Sequence, residues 1–209
     1  MAVSFDLFGT LVAVDRPADP AGAVARQLRD RGVAVPDDWA AAYREAHVEL
    51  APGRELPLSD HVRAALASRG IDADGETVAG AVRAAFDGQV RTRDGASAAV
   101  AAAAERGPVG VLSNCSVSGL VERTVERSTL DPDEFDAVVA SVDCGWRKPD
   151  SRAFDAVADA LGVERSGLVH VGDDPATDGG ADDCGARGVL LSDVPLSALP
   201  AHLEGSTCR

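Results

Sequence analysis

Residues 5–11 read Phe-Asp-Leu-Phe-Gly-Thr-Leu, so a short apolar strand ends in an aspartate that is followed by a glycine turn and a threonine. A strand that ends in Asp6 presents its carboxylate at the carboxyl edge of a sheet, where open α/β folds bind their ligands. Gly9 lets the following backbone approach an anion closely. The stretch predicts a nucleophilic carboxylate facing a phosphate-sized space, although an ordinary strand with a capped turn would read the same way.

Three further segments repeat this arrangement, with polar groups at a predicted strand end or helix entry: Ser113-Asn114 after an apolar run, Lys148 before Pro149-Asp150, and Gly172-Asp173-Asp174 after a second apolar run. Four such segments in this order resemble the haloacid dehalogenase-like (HAD) hydrolase superfamily. The resemblance covers nearly the whole chain, because the first segment begins at residue 5 and the last lies near residue 174.

The outer parts of the chain alternate between strand and helix patterns. Strands are predicted near residues 2–6, 108–113, 137–142, 167–172 and 188–192. Helical patterns lie between consecutive strands of this set, at residues 96–106, 117–128 and 151–161. This alternation predicts an α/β fold with a doubly wound parallel sheet, which corresponds to the Rossmann-like core of the HAD superfamily.

Residues 14–93 break the alternation, because they contain no convincing strand. Their helical patterns lie near residues 21–31, 37–49, 58–68 and 75–90. An all-helical insertion after the first motif resembles the small helical-bundle cap of the family, which closes over the site and selects the substrate. The expected division is a core of residues 1–13 and 94–209 and a cap of residues 14–93.

Length and charge restrict the classes of function. A chain of 209 residues can bury a core and form one compact domain with a smaller module. Its formal net charge of -14, without a basic run, argues against nucleic acid or an anionic membrane as partner. No apolar stretch is long enough to span a bilayer and no leader pattern follows Met1, so we expect a cytoplasmic protein. No heptad seam specifies the assembly, which leaves a monomer or a homodimer.

The chain has a single lysine, Lys148, among 20 basic residues. This usage, together with abundant Ala, Asp and Val, is typical of a salt-adapted (halophilic) or GC-biased proteome. A lysine retained against that background suggests a place where a compact ammonium is needed and a planar guanidinium does not fit.

The resemblance implies a phosphatase chemistry. Asp6 would attack phosphorus and form an aspartyl phosphate that water hydrolyses. Mg²⁺ would be held by Asp6, the backbone carbonyl of Phe8 and Asp173. Lys148 would stabilise Asp6 and the transition state. The other candidates are the phosphate ligands Thr10, Ser113 and Asn114, a second tier near the metal of Asp174 and Asp178, and Arg54 of the cap as a contact for an anionic substrate.

Position 8 departs from the family pattern, since many members carry a second aspartate there as general acid and a phenylalanine cannot donate a proton. General acid catalysis is typically worth ~10²- to 10⁴-fold. Three consequences stay open. The leaving group is intrinsically good, as in an acyl phosphate, aryl phosphate or pyrophosphate; or halide leaves without a proton, as in dehalogenation; or the cap supplies the acid from Tyr43, His47 or His61.

The dehalogenases of the superfamily also carry an aromatic residue at the place of Phe8, need no metal and lack the Gly-Asp-Asp cluster. Without a metal, Asp173 beside Asp6 would raise the pKa of one carboxylate, which is unfavourable for a nucleophile. We therefore expect a Mg²⁺-dependent phosphohydrolase acting on a small phosphorylated metabolite. A metal-independent 2-haloacid dehalogenase and a catalytically silent binding protein are the alternatives, and the retained Asp6, Lys148 and Asp173 argue against the second of these.

Overall fold

A five-stranded parallel sheet lies at the centre of the computed structural model, which describes residues 1–205. The strands of the protein are β1 (Ala2–Phe5), β2 (Val12–Val14), β3 (Val90–Thr92), β4 (Val109–Ser113), β5 (Ala137–Ala140), β6 (Leu168–Gly172) and β7 (Arg187–Leu190). The parallel sheet has the order β5-β4-β1-β6-β7. Each of its strands lies within a few residues of a predicted strand, and the predicted doubly wound α/β class is confirmed.

Helices cover both faces of the sheet and form most of the insertion after β2. They are α1 (Pro20–Asp30), α2 (Trp39–Ala42), α3 (Leu58–Ala67), α4 (Gly75–Ala85), α5 (Ala96–Ala104), α6 (Leu120–Arg127), α7 (Ser141–Cys144), α8 (Ser151–Ala160), α9 (Gly180–Asp183) and α10 (Leu199–Gly205). Among residues 1–205, no helix is both long and apolar enough to cross a membrane.

The side chains of β1 show how the core is divided. Val3 and Phe5 belong to the apolar cluster that contains α5, whereas Ala2 belongs to the cluster under α8. Successive strand residues point to opposite faces of a sheet, so a central strand covered on both faces is apolar on both. This explains why β1 reads as a short continuous apolar run rather than as an alternating one.

The insertion between residues 14 and 93 differs from the prediction in two places. Strand β3 was not expected, yet Val90–Thr92 pairs antiparallel with β2, so α4 ends at Ala85 rather than continuing to residue 90. Three-residue strands carry too short a pattern to be read locally. The predicted helix 37–49 is also wrong, because only Trp39–Ala42 is helical. The Ala42 carbonyl is contacted by the ring of His47 at 2.7 Å and by the N–H of Glu45, three residues further on, at 3.3 Å.

The loop between α2 and α3 returns to the core through backbone and side-chain contacts. The N–H of Glu55 donates to the carbonyl of Gly145 at 3.0 Å, and the N–H of Arg147 donates to the carbonyl of Gly53 at 2.9 Å. The Glu55 carboxylate is buried and accepts a hydrogen bond of 2.5 Å from the hydroxyl of Ser141. A lone acid in a loop gives no sequence signal for such a contact, and sequence reasoning missed it.

Candidate active site

The four predicted motifs converge at the carboxyl edge of the parallel sheet. Asp6 follows β1, Ser113 ends β4 and Asp173 follows β6, and β1 lies between the other two strands. Such a reversal of strand order is where open α/β sheets form a ligand crevice. A cleft of about 550 Å³ occupies this position and is lined, among other residues, by Asp6, Phe8, Ser113, Asn114, Lys148, Asp173, Asp174 and Asp178.

The ammonium of Lys148 is buried, and each of its protons has an acceptor. The Nζ atom lies 2.9 Å from Oδ1 of Asp6, 2.6 Å from Oδ1 of Asp178 and 2.7 Å from the carbonyl oxygen of Leu112. An ammonium has three donors, so this arrangement uses all of them. Lys148 is therefore held in one position beside the Asp6 carboxylate.

His170, on β6, is completely buried and was missed by sequence reasoning because it lies within an apolar run. Its Nε2 lies 3.1 Å from Oδ1 of Asp178, and its Nδ1 lies 2.8 Å from the hydroxyl of Ser4. Burial, assisted by the charge of Lys148, lowers the pKa of His170 to about 4. Since Lys148 has no proton left for the ring, the neutral imidazole donates from Nε2 to Asp178 and accepts from Ser4 at Nδ1.

Asp178 is buried with both carboxylate oxygens engaged. Oδ1 accepts hydrogen bonds from Lys148 and His170, and Oδ2 accepts one of 2.9 Å from the backbone N–H of Asp174. Burial alone would raise the pKa of Asp178, but the hydrogen bond from His170 and the charge of Lys148 outweigh it and hold that pKa well below its usual range. The geometry makes Asp178 an anion that orients Lys148. A side chain at Gly172 would overlap its carboxylate.

Unlike Asp178, the carboxylates of Asp6 and Asp173 have unused acceptor capacity. Burial raises the pKa of Asp6, and the charge of Lys148 opposes that rise while Asp178 and Asp173 add to it. One oxygen each from Asp6, Asp173 and Asp178 lies within 4.8 Å of the other two. Three carboxylates beside one ammonium leave an excess of negative charge, and carboxylate oxygens suit a hard divalent cation. This cluster could therefore hold a metal ion.

The turn after β1 brings the backbone against Asp173. Gly9 has a φ of +95°, and a Cβ atom there would lie 2.5 Å from Oδ2 of Asp173, so glycine is required at this position. Thr10 is buried and donates a hydrogen bond of 2.9 Å to Oδ1 of Asp173. The Thr10 hydroxyl thus orients a carboxylate in this structure, and its predicted contact with phosphate stays a prediction.

The polar residues that end β4 have different environments. Ser113 is 1% exposed and lines the cleft, and its Oγ has no hydrogen-bond partner among the described residues. The amide of Asn114 binds the backbone of Lys148 twice, donating to its carbonyl at 3.0 Å and accepting from its N–H at 2.9 Å. Asn114 therefore fixes the segment that carries Lys148, and its role as a phosphate ligand stays a prediction.

An aromatic ring and two arginines complete the wall of the cleft. Phe8 is half-buried, and the guanidinium carbon of Arg16 lies 5.7 Å from the centroid of its ring. Arg147 also lines the cleft and forms an ion pair of 3.2 Å with Glu55. Sequence reasoning missed both arginines: Arg16 lies in no motif, and Arg147 directly precedes Lys148 but was not assigned a role.

The cap residues that were considered as acids or substrate contacts lie outside the residues that line the cleft. The rings of His47 and His61 are 5.8 Å apart, and Tyr43 packs edge-on against His61. Arg54 stacks over Trp146, with its guanidinium carbon 4.7 Å from the ring centroid. None of these four predicted candidates is brought to the nucleophile in the part of the chain that the structure describes.

A parallel sheet with Asp6, Lys148 and Asp173 at its carboxyl edge defines a hydrolase of the α/β class, and sequence comparison identifies the family. Residues 1–181 match the family described as haloacid dehalogenase-like hydrolase. The chain belongs to this family and is a hydrolase. No curated protein matches it in sequence.

Solved structures similar to this chain include a dehalogenase and a predicted phosphatase. A 2-haloacid dehalogenase from Pseudomonas syringae pv. Tomato DC3000 has a TM-score of 0.66 and 23% identity, covering 98% of each chain. A predicted phosphoglycolate phosphatase from Haemophilus somnus 129pt has a TM-score of 0.55 and 16% identity, covering 90% of this chain and 84% of that one. The HAD-hydrolase YfnB from Bacillus subtilis, bound to magnesium, has a TM-score of 0.54 and 21% identity, covering 90% and 87%. At these identities the likeness establishes the fold and leaves the reaction open.

Proposed function

We propose that this hydrolase is a magnesium-dependent phosphohydrolase that acts on a small phosphorylated metabolite through an aspartyl-phosphate intermediate. The observation that carries the proposal is that Asp6 forms an ion pair with Lys148 and lies close to a second carboxylate, Asp173, in one cleft. An isolated carboxylate would repel a phosphate. The hydroxyl of Ser113 adds a donor that has no acceptor among residues 1–205.

Asp6 acts as the nucleophile in this proposal. Its carboxylate oxygen forms a bond to phosphorus while the bond from phosphorus to the leaving oxygen breaks, and the leaving group departs with the electron pair. Water then attacks the phosphorus of the aspartyl phosphate, which restores the Asp6 carboxylate and releases phosphate and a proton. Lys148 holds Asp6 in place and stabilises the developing charge, while Ser113 donates to an oxygen of the transferring group.

The expected Mg²⁺ ligands are the carboxylates of Asp6 and Asp173 and the backbone carbonyl of Phe8. When bound, the ion supplies positive charge that allows an anionic nucleophile to approach an anionic phosphate. Asp178 is a poorer candidate because both of its oxygens are already hydrogen-bonded.

The cleft favours a substrate whose leaving group needs no proton. Phe8 occupies the position of the usual acid, and no His, Tyr or Cys lines the cleft within residues 1–205. The three protons of Lys148 are already shared with acceptors of the protein. An acyl or aryl phosphate leaves as a stabilised anion, so these classes suit the site better than a sugar phosphate.

A 2-haloacid dehalogenase is the second candidate, and Phe8 favours it because halide also leaves without a proton. The Pseudomonas dehalogenase shares the fold over nearly the whole chain. Against it stands the closeness of Asp173 to Asp6: burial is the main cause of the raised pKa of Asp6, and the charge of Asp173 adds to it. A reaction without a metal would have to proceed despite that repulsion.

The test is turnover of p-nitrophenyl phosphate and acetyl phosphate with Mg²⁺ and with EDTA, alongside chloride release from 2-chloropropionate. We expect Mg²⁺-stimulated phosphate release that Asp6→Asn lowers by roughly 10³-fold or more. Asp159→Asn, at an exposed position on α8, is the matched control and should retain activity. Chloride release in EDTA would support the dehalogenase, and absence of both activities would favour a silent binding protein.

A further inference from the structure

Two guanidinium groups line the cleft, and they differ in their partners. Arg147 is paired with the buried carboxylate of Glu55. Arg16 has no carboxylate within ion-pair distance among residues 1–205. The acid next to it in sequence, Asp15, is bound by Arg91 at 2.6 Å. Arg16 is therefore a cleft-lining cation whose charge the described part of the chain does not neutralise.

The position of Arg16 is set by the antiparallel pair at the base of the insertion. Arg16 follows β2, and β2 pairs with β3 in the register Ala13 with Arg91. The guanidinium lies 5.7 Å from the centroid of the Phe8 ring, within the range of a cation–π contact. An aromatic ring carries no net charge, so this contact does not neutralise the guanidinium, which can still bind an anionic ligand.

We propose that Arg16 binds a second anionic group of the substrate, a carboxylate or a phosphate, while the first phosphate reacts at Asp6. The inference rests on the phosphohydrolase function proposed above and adds the substrate class to it. Asp173 and Asp174 are both exposed at the cleft, in a protein of net charge -14. A substrate with two anionic ends needs a cation for its second end as well as for the first, and a guanidinium fork matches a carboxylate or phosphate with two parallel hydrogen bonds.

Phe8 and Arg16 together limit the class of substrate that the cleft can accept. Phe8 provides no proton for the leaving group, and Arg16 lies beside its ring with a positive charge that no carboxylate of residues 1–205 pairs. A phosphate whose leaving group is itself anionic at its far end meets both conditions. The class is a phosphorylated acid, such as an acyl phosphate that carries a second carboxylate or phosphate.

Binding of non-hydrolysable analogues tests the site without turnover. Isothermal titration calorimetry in one Mg²⁺ buffer would compare methylphosphonate, which has one anionic group, with phosphonoacetate and methylenediphosphonate, which have two. We expect the wild type to bind at least one of the latter two about tenfold or more tightly than methylphosphonate, and Arg16→Gln to reduce that preference to about twofold. Which of the two analogues is preferred distinguishes a carboxylate from a phosphate.

Two variants serve as controls. Arg26→Gln removes the same charge from an exposed position on α1 that does not line the cleft, and it should keep the preference. Arg16→Lys keeps the positive charge but not the planar guanidinium with its two parallel donors, and it should retain part of the preference for analogues with two anionic groups. Far-ultraviolet circular dichroism of each variant excludes misfolding as the cause of a loss.

A kinetic comparison separates this inference from the proposed function. Acetyl phosphate and succinyl phosphate share the same leaving chemistry, but only succinyl phosphate carries a further carboxylate. We expect Arg16→Gln to raise KM for succinyl phosphate about tenfold while kcat, and both constants for acetyl phosphate, change less than about twofold.

Two results would overturn the role of Arg16. One is equal binding of all three analogues by the wild type, and the other is an equal loss for all three in Arg16→Gln. If acetyl phosphate is hydrolysed without any such preference, the phosphohydrolase stands and the second anion site does not. If no acyl phosphate is hydrolysed but Arg16 still determines the analogue preference, the anion site stands and the phosphohydrolase does not.

Discussion

Lys148 donates a hydrogen bond of 2.9 Å to Asp6 across 142 residues of chain, and the same ammonium lies 2.6 Å from Asp178. The pair is buried, so its charges interact more strongly than a surface pair would. Because His170 and the backbone N–H of Asp174 also hold Asp178, the position of the ammonium is fixed by the core rather than by the cleft. The nucleophile is thus oriented before any substrate binds.

Replacing the ammonium should destabilise the fold as well as abolish activity. Lys148→Met leaves Asp6 and Asp178 buried without their cation, and breaking a buried pair in this way costs about 3–5 kcal/mol. Urea denaturation at pH 7 measures the free energy of unfolding. Lys148→Arg keeps the charge but cannot direct three donors to the same acceptors, so its loss should be smaller. A Met variant as stable as the wild type would contradict the buried ion pair.

Ser113 offers a substitution that should harm function without harming stability. Its Oγ makes no hydrogen bond among the described residues, so Ser113→Ala breaks no hydrogen bond there and removes an unpaired polar group. We expect an unchanged or higher melting temperature with KM for p-nitrophenyl phosphate raised by about tenfold, as loss of a hydrogen bond to a charged group predicts. Ser141→Ala, which loses the bond to the Glu55 carboxylate, should instead melt lower. A lower melting temperature for Ser113→Ala would indicate a structural hydroxyl.

His170 should make the protein sensitive to moderate acid. Its pKa of about 4 in the folded state lies below the ordinary value of 6.5, so the unfolded chain takes up a proton first as the pH falls. The stability contributed by the neutral ring is complete above about pH 6.5 and is lost progressively towards pH 4, by about 3 kcal/mol in all.

A non-titrating replacement isolates the contribution of His170. His170→Gln can still reach Asp178 but takes up no proton, so its urea midpoint should change less between pH 7 and pH 5 than that of the wild type. Asp178 changes the free energy of unfolding in a lower pH range, because its pKa is lowered and its contribution is lost only as the pH falls below the ordinary aspartate value of 3.8. An identical pH dependence of the two proteins would show that His170 is not buried in its neutral form.

Phe8→Asp should extend the activity to poorer leaving groups. The residue lines the cleft two positions after Asp6, and an aspartic acid there could protonate a departing alkoxide. We expect kcat for an alkyl phosphate to rise about tenfold, below the full ~10²- to 10⁴-fold of an optimised acid, while p-nitrophenyl phosphate gains little. Phe8→Asn, which cannot supply an acid, is the control. Equal gains for both substrates would argue against a missing acid at this position.

Salt should stabilise the protein. At 1 M ionic strength the Debye length is ~3 Å, so repulsion among the carboxylates that give the chain its net charge of -14 is screened. Surface ion pairs such as Arg69 with Glu45 weaken too, but exposed pairs are worth only about 0–1 kcal/mol each. We expect a higher melting temperature in 2 M than in 0.1 M KCl by circular dichroism. Equal melting temperatures would contradict salt adaptation.

Local patterns were sufficient for the core of the fold and insufficient for the insertion. The buried strands β4 and β6 are short apolar runs, rich in Val and Leu, with a polar residue at or directly after their ends, and their length and composition favour a strand over a helix. The three-residue strands β2 and β3 form only because residues 12–14 and 90–92 meet across the insertion. The helix α2 ends after four residues where sequence periodicity had suggested a longer one.

The amino-acid sequence by itself determined the parallel sheet and the meeting of Asp6 and Asp173 at its carboxyl edge, because strand pattern and strand direction together specify which strand ends converge. Lys148 follows no strand, and only the resemblance to the family placed it beside Asp6. Tertiary structure alone decided how these groups are partnered. It assigned the amide of Asn114 to the Lys148 backbone and left Arg16 without a carboxylate among the described residues. Contacts between residues far apart in the chain depend on packing, and packing leaves no mark in the local order of residue types.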